Sequence, residues 1–248
     1  MTEEKTFALP NVVIIGAMKC GTTALHRLLD EHPEIAMAGG KELNFFFGPA
    51  ADAGDGAASN WHRGLEWYAS QFAAQARVRG ESSPGYTSPD HPEAAQRMAA
   101  VIPAARLLYL IRDPIDRAVS QYRHHRADRT EPRHLAEALL DPESQYIARG
   151  RYHERLVPFL RQFALEQIMV VAQEDLLNDT DGSLRQVDRF LEVKPAARPA
   201  AQTQRWNVSS GAEIELPRAV RDRLAREFAD DVAALRDLTG QKFAAWSI

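Results

Sequence analysis

Val13-Ile-Ile-Gly16-Ala-Met-Lys19-Cys-Gly21-Thr22-Thr23 reads as a buried strand running into a phosphate-binding turn and then into a helix. With Val12, the residues to Ile15 form a continuous β-branched run, as expected of a strand covered on both faces in a parallel sheet. Gly16 and Gly21 keep the spacing of a phosphate loop, where glycines let main-chain N–H groups face an anion. Beyond the turn, Ala24, Leu25, Leu28 and Leu29 recur at helical spacing until His32-Pro33 stops the run. A helix starting there presents unpaired N–H groups and the positive end of its dipole to a phosphate. This order of strand, turn and helix predicts an α/β fold built around a phosphate loop.

The lysine is displaced. In an ordinary phosphate loop it follows the last glycine and stands beside a metal-binding Ser or Thr. Here Thr22 holds that position and Lys19 lies inside the turn. A nucleotide phosphate held by Lys19, Cys20, Gly21, Thr22 and Thr23 fits this pattern; a magnesium-dependent triphosphate site does not. A plain strand-turn-helix junction with incidental glycines is the competing reading of these residues alone.

The 248 residues, 45% hydrophobic and 26% charged, suit one domain over 1–248 with a sizeable core. The likeliest loop insertion is 48–60, rich in Gly, Ala and Asp. A net charge of -4 argues against nucleic acid or a polyanionic polymer as partner. No apolar run is long enough to span a bilayer and residues 1–10 lack a signal-peptide core, so the expected location is cytoplasmic, with no membrane partner. The single cysteine, Cys20, excludes an internal disulfide framework and a multi-cysteine zinc site. At a helix start it is either an activated thiol or a small loop-filling side chain.

Two further clusters carry chemistry. Arg106 to Ile111 reads as a second buried strand, and Arg112-Asp113-Pro114 leaves its C-terminal end, where open parallel sheets bind ligands. Pro114 then starts a helix with Asp113 as N-cap, and Ser120 lies about two turns along it. Arg112 and Ser120 are therefore candidates to grip a second phosphate, the alternative being a structural ion pair at Arg112. The other arginines and histidines of 117–133 and 149–155 read mostly as solvated helix faces. In Lys41-Glu42-Leu-Asn44-Phe45-Phe46-Phe47, three aromatics are expected to shelter the adjacent charges, which would raise a carboxyl toward a value useful for proton abstraction. The other reading pairs Glu42 with a neighbouring cation.

In combination these clusters resemble the sulfotransferases that use 3′-phosphoadenosine 5′-phosphosulfate (PAPS), most closely the heparan-sulfate-type branch and its bacterial small-molecule relatives. Gly16 to Thr23 is similar to the family's 5′-phosphosulfate loop. Leu110-Ile-Arg112-Asp-Pro114-Ile-Asp-Arg117-Ala-Val-Ser120-Gln-Tyr122 is similar to its 3′-phosphate segment, and Lys41-Glu42-Leu-Asn-Phe-Phe to the segment carrying the catalytic glutamate. Gly80-Glu-Ser-Ser-Pro84-Gly-Tyr86, Arg149-Gly-Arg-Tyr152 and Val170-Val-Ala-Gln-Glu174-Asp175-Leu176 extend the match, which runs from about Val12 to Leu191.

The resemblance implies a three-layer, P-loop-like fold with a roughly five-stranded parallel sheet. The remaining strand candidates are Ile35 to Met37, Val78 to Glu81 and Ile168 to Ala172; helices are expected near 66–73, 92–100, 114–127, 133–140, 151–164, 182–191 and 217–238. It also implies sulfuryl transfer from PAPS to an acceptor hydroxyl, without a metal. Glu42 is then the general base and Lys19 the cation at the leaving phosphate, with Arg112 and Ser120 on the 3′-phosphate. Ser82 departs from the lysine that many heparan-type relatives carry after the glutamate. Arg205, in 205–211, stands where relatives often carry a Gly-rich basic loop over the donor, and is the candidate replacement.

The expected acceptor is a small metabolite or glycoside, with Lys41, Ser83 and Tyr86 as candidate contacts. Trp61, Trp67 and Tyr68 are further candidates to wall its site, and His62 or His91 a second base. A small-molecule kinase and a catalytically idle nucleotide-binding protein are the competing functions.

Overall fold

The computed structural model describes residues 8–49, 58–197 and 215–248. Its centre is a five-stranded parallel sheet in the order β2-β3-β1-β4-β5, formed by β1 (Val12–Gly16), β2 (Ile35–Met37), β3 (Val78–Ser82), β4 (Arg106–Ile111) and β5 (Ile168–Ala172). All five anticipated strands are present. Every residue of β1 is buried, as a middle strand between two covered faces requires. Its neighbours β3 and β4 pair with it from Val12 outward, at Gly80 and Arg106 respectively. Three strand ends therefore open into one crevice where the chain switches direction across the sheet.

Helix α1 (Thr22–Asp30) buries Ala24, Leu25, Leu28 and Leu29, the stripe expected for it. Next come α2 (Gly64–Ala69), α3 (Ala94–Val101), α4 (Pro114–Ala127), α5 (Leu135–Leu140), α6 (Gln145–Ala148), α7 (Tyr152–Leu160), α8 (Gln173–Asn178), α9 (Thr180–Phe190) and α10 (Arg218–Thr239). Two of these, α6 and α8, were not anticipated; at four and six residues they are too short to display a 3.6-residue period. The last helix, α10, buries Val220, Leu224, Phe228, Val232 and Leu235 along one face. Asp231 on the same helix accepts hydrogen bonds from the His153 and Glu154 N–H groups at 3.0 and 2.9 Å, which caps the first turn of α7. Likewise Arg117 is fully buried, donating to Gln121 Oε1 at 2.6 Å and to the Tyr146 carbonyl. It ties α4 to α6 and is not a surface charge.

Most of the anticipated loop insertion (50–57) and the segment containing Arg205 lie outside the described residues. Among the described residues, no helix is long and apolar enough to cross a membrane.

Candidate active site

The turn after β1 is shaped for an anion. Gly21 adopts a left-handed conformation (φ 88°) and caps α1 without a side-chain hydrogen bond, so that the first N–H groups of the helix face the crevice. Lys19 is also left-handed (φ 68°), a rare conformation for a residue with a side chain and one that must be held by its surroundings. Arg149 supplies part of that hold: only 5% exposed, it pairs with Asp90 at 2.9 Å and lies 3.1 Å from Met18 Sδ. Below the turn the Tyr152 hydroxyl is 3.6 Å from Cys20 Sγ. The Arg149-to-Tyr152 stretch therefore braces the loop from two sides. Cys20 itself is fully buried, and burial pushes its thiol up, so of the two readings the loop-filling side chain fits.

Four cations share the crevice. Burial lowers the Lys19 ammonium below the usual lysine value; Arg112 adds to that effect, and Arg123 and Lys41 contribute less, against an opposing pull from Asp128. Lys19 and Arg112, from the ends of two adjacent strands, thus feel each other's charge. Arg112 donates an Nη2 hydrogen bond to the Asp116 carbonyl, while its buried Nε has no hydrogen-bond partner among the described residues. A phosphate would give such a group a charge-assisted acceptor. Ser120 lies on α4, 8% exposed.

Asp113 fixes this second corner. Its Oδ1 caps α4 by accepting from Ile115 and Asp116 N–H at 2.8 and 3.2 Å, as anticipated. Its own N–H donates to Glu174 at 2.8 Å, and its Oδ2 accepts from both the N–H and the hydroxyl of Ser247 at 2.7 Å. The Trp246 indole N–H donates to the other Glu174 oxygen at 3.1 Å. Glu174, Trp246 and Ser247 were not anticipated as supports of this turn.

Lys41 joins the third cluster to the first: its ammonium, lowered chiefly by burial, donates to Thr23 Oγ1 at 2.7 Å and lies 3.5 Å from Glu42. Glu42 differs from expectation. Phe45, Phe46 and Phe47 turn into the core, whereas the Glu42 side chain is 54% exposed, so the aromatics do not shelter it. Glu42 (φ 61°) and Asn44 (φ 49°) are both left-handed, and this reversal sends the carboxylate and the rings in different directions. Glu42 lines a cleft of 570 Å³ together with Met18 of the phosphate loop and Asn44, His124, His125, Gln145 and Arg149. His124 and His125 were read as part of a solvated basic stretch; the signal missed was that His124 stands one helical turn after Ser120.

None of the three candidate acceptor contacts, Lys41, Ser83 and Tyr86, is among the residues lining this cleft. Ser83 and Tyr86 are 0% and 1% exposed and direct their hydroxyls at the buried Glu81. Tyr68 is fully buried and stacks on Phe45 at 4.2 Å, and the half-buried Trp61 and Trp67 pack around the same ring at the edge of the core. His91 stacks on Phe47 at 3.5 Å, and neither it nor His62 lines the cleft. A larger groove of 740 Å³ follows edge strand β5, and Glu42, Arg112 and the phosphate loop are not among the residues lining it.

The model of the "Sulfotransferase family" matches residues 10–196. The chain is 31% identical over 204 residues to the heparan sulfate glucosamine 3-O-sulfotransferase 3A1 of Mus musculus, covering 78% of this chain and 48% of that protein. It is 29% identical over 202 residues to the bifunctional heparan sulfate N-deacetylase/N-sulfotransferase 1 of Caenorhabditis elegans, covering 75% and 22%. The chain thus spans half or less of the length of these curated relatives. A sulfotransferase from Alicyclobacillus acidocaldarius superposes with a TM-score of 0.80 at 30% identity, over 97% of this chain and 100% of that one.

Proposed function

Because the chain belongs to the sulfotransferase family, we propose that it transfers a sulfuryl group from PAPS to the hydroxyl of a small molecule, a glycoside or a secondary metabolite. PAPS supplies the activated sulfuryl group and is left as adenosine 3′,5′-bisphosphate. The observation that supports this reading is that Glu42 and Met18 of the phosphate loop line one cleft, while Arg112 makes the largest charged contribution to the lowering of Lys19 in the same loop.

Each residue has a task that its position allows. Lys19 and the N–H groups of Gly21 to Thr23 bind the 5′ end of the donor, and the Lys19 ammonium stabilises the negative charge that develops there. Lys41 donates to the Thr23 hydroxyl oxygen, which leaves that hydroxyl's proton free to point at an anion. Arg112, through its unpaired Nε–H, and Ser120 hold the 3′-phosphate and so separate this nucleotide from ATP. Glu42 accepts the proton of the acceptor hydroxyl at a carboxylate oxygen. The polar lining of the cleft, with Asn44, His124, His125 and Gln145 beside Glu42, favours a hydroxyl-rich acceptor over a purely apolar one.

Sulfate transfer from labelled PAPS into a panel of phenols, glycosides and glycopeptides, with wild type and Glu42→Gln, tests the proposal. Turnover that Glu42→Gln nearly abolishes, with adenosine 3′,5′-bisphosphate still bound, supports it. A tighter calorimetric affinity for magnesium-ATP than for the bisphosphate would instead indicate a kinase. Bisphosphate binding without transfer to any acceptor would indicate an idle binding protein.

A further inference from the structure

Glu81 is a carboxylate buried to 0% exposure near the end of β3, and no step of the catalytic proposal uses it. Three hydroxyls converge on it: Tyr68 and Tyr86 reach Oε1 at 2.7 and 2.8 Å, and Ser83 reaches Oε2 at 2.6 Å. Two of these hydroxyls continue to the Glu42 loop. The Asn44 N–H donates to Ser83 Oγ at 3.1 Å, and the Phe46 N–H donates to the Tyr86 hydroxyl oxygen at 3.4 Å. The Glu42 N–H is anchored alongside, donating to the Ser82 carbonyl at 2.9 Å.

The direction of these bonds is constrained. A main-chain N–H can only donate, so Ser83 and Tyr86 must accept from the loop and send their single protons elsewhere. Glu81 receives both, one on each oxygen. Burial and the adjacent carboxylate push the Tyr68 and Tyr86 phenols well above their usual value, which keeps their protons in place as donors. The loop so held contains two left-handed residues with side chains, Glu42 and Asn44, a conformation that persists only where the surroundings over-determine it.

We propose that Glu81 is a positioning residue for the reaction: by accepting from Ser83 and Tyr86 it orients their hydroxyls as acceptors for the Asn44 and Phe46 N–H groups, and so fixes the backbone that aims Glu42 into the cleft. This rests on Glu42 being the proton acceptor. Glutamine at position 81 is nearly isosteric, yet its amide N–H₂ must donate to at least one hydroxyl. That hydroxyl loses the acceptor for its own proton, so its orientation as an acceptor for the loop N–H is no longer fixed and that anchor weakens.

The test compares Glu81→Gln, Ser83→Ala and Tyr86→Phe, each alone and combined with Glu42→Gln, by kcat for sulfate transfer and by calorimetric affinity for adenosine 3′,5′-bisphosphate. Glu81→Gln is expected to lower kcat by about tenfold or more, the loss of one buried hydrogen bond at a site that needs exact aim. Bisphosphate affinity should stay within about twofold, since the donor corner is built from other residues. In the Glu42→Gln background the same change should cost no further activity. A kcat unchanged in Glu81→Gln, or its full loss repeated on top of Glu42→Gln, overturns the proposal. If Glu81→Gln does not fold, Ser83→Ala and Tyr86→Phe each remove one arm and carry the same expectations. Undiminished turnover in Glu42→Gln would instead remove the base assignment itself, a separate failure.

Discussion

Replacing Arg112 with alanine separates the two ends of the donor grip. The Arg112 Nε–H is buried and without a hydrogen-bond partner among the described residues, and the proposed 3′-phosphate would give it an acceptor of opposite charge. A hydrogen bond to a charged group contributes about 1.5–3 kcal/mol, and a second contact from the same planar guanidinium brings the expected loss to about 3 kcal/mol, roughly a hundredfold in Kd. The substitution also removes the Nη2 bond to the Asp116 carbonyl in the first turn of α4. That local cost is common to every ligand and cancels in a ratio. The assay is therefore calorimetry with two nucleotides, adenosine 3′,5′-bisphosphate and adenosine 5′-phosphate, on wild type and Arg112→Ala. Arg112→Ala should weaken the bisphosphate about a hundredfold and the monophosphate by less than about threefold. Equal losses for both would show that Arg112 shapes the turn without touching the 3′-phosphate, and would refute the two-ended grip.

Affinity for the bisphosphate should also depend on pH through Lys19. Its ammonium is held below the usual value of 10.5 by burial and then by Arg112, so the free protein surrenders this proton early as pH rises, and anion binding weakens through that range. Bound phosphate draws the value back up, and binding above neutral pH should take up a proton; calorimetry in buffers of different ionisation enthalpy measures this, and uptake persisting in Lys19→Met would assign it elsewhere. Cys20, fully buried with its thiol value raised, should react with a thiol reagent at least about a hundredfold more slowly in the folded protein than in denaturant. Labelling at the rate of a free thiol would contradict its packing under the loop.

Four of the five strands, β1, β2, β4 and β5, were legible because each is a short, mostly apolar run covered on both faces; β3, Val78-Arg-Gly-Glu-Ser, carries no such run. β2, β4 and β5 begin and end where those runs do. Helix α10 was legible from its stripe of Val220, Leu224, Phe228, Val232 and Leu235. The site was legible as residue types and less so as geometry. Three consecutive phenylalanines imply burial, but whether they bury their neighbour depends on backbone angles at Glu42 and Asn44 that no side-chain pattern encodes. Arg117 and Arg149 look like any other members of a basic stretch until packing makes one a buried strut and the other the partner of Asp90. Glu81 is similar: a lone acid in a strand becomes a hub only when α2 and the turn at Pro84–Thr87 bring Tyr68, Ser83 and Tyr86 to it.

The contact between Asp113 and Ser247 joins positions 134 residues apart, and Asp113 to Glu174 spans 61. Closing so large a ring of chain carries an entropic cost that must be met before the contact stabilises anything. The phosphate loop depends on braces as far along the chain as Arg149 and Tyr152, whereas the arginine corner also needs Ser247, beyond α10, for two of the hydrogen bonds at Asp113. The two ends of the donor grip thus draw on different stretches of chain, and the arginine corner is completed by the later one.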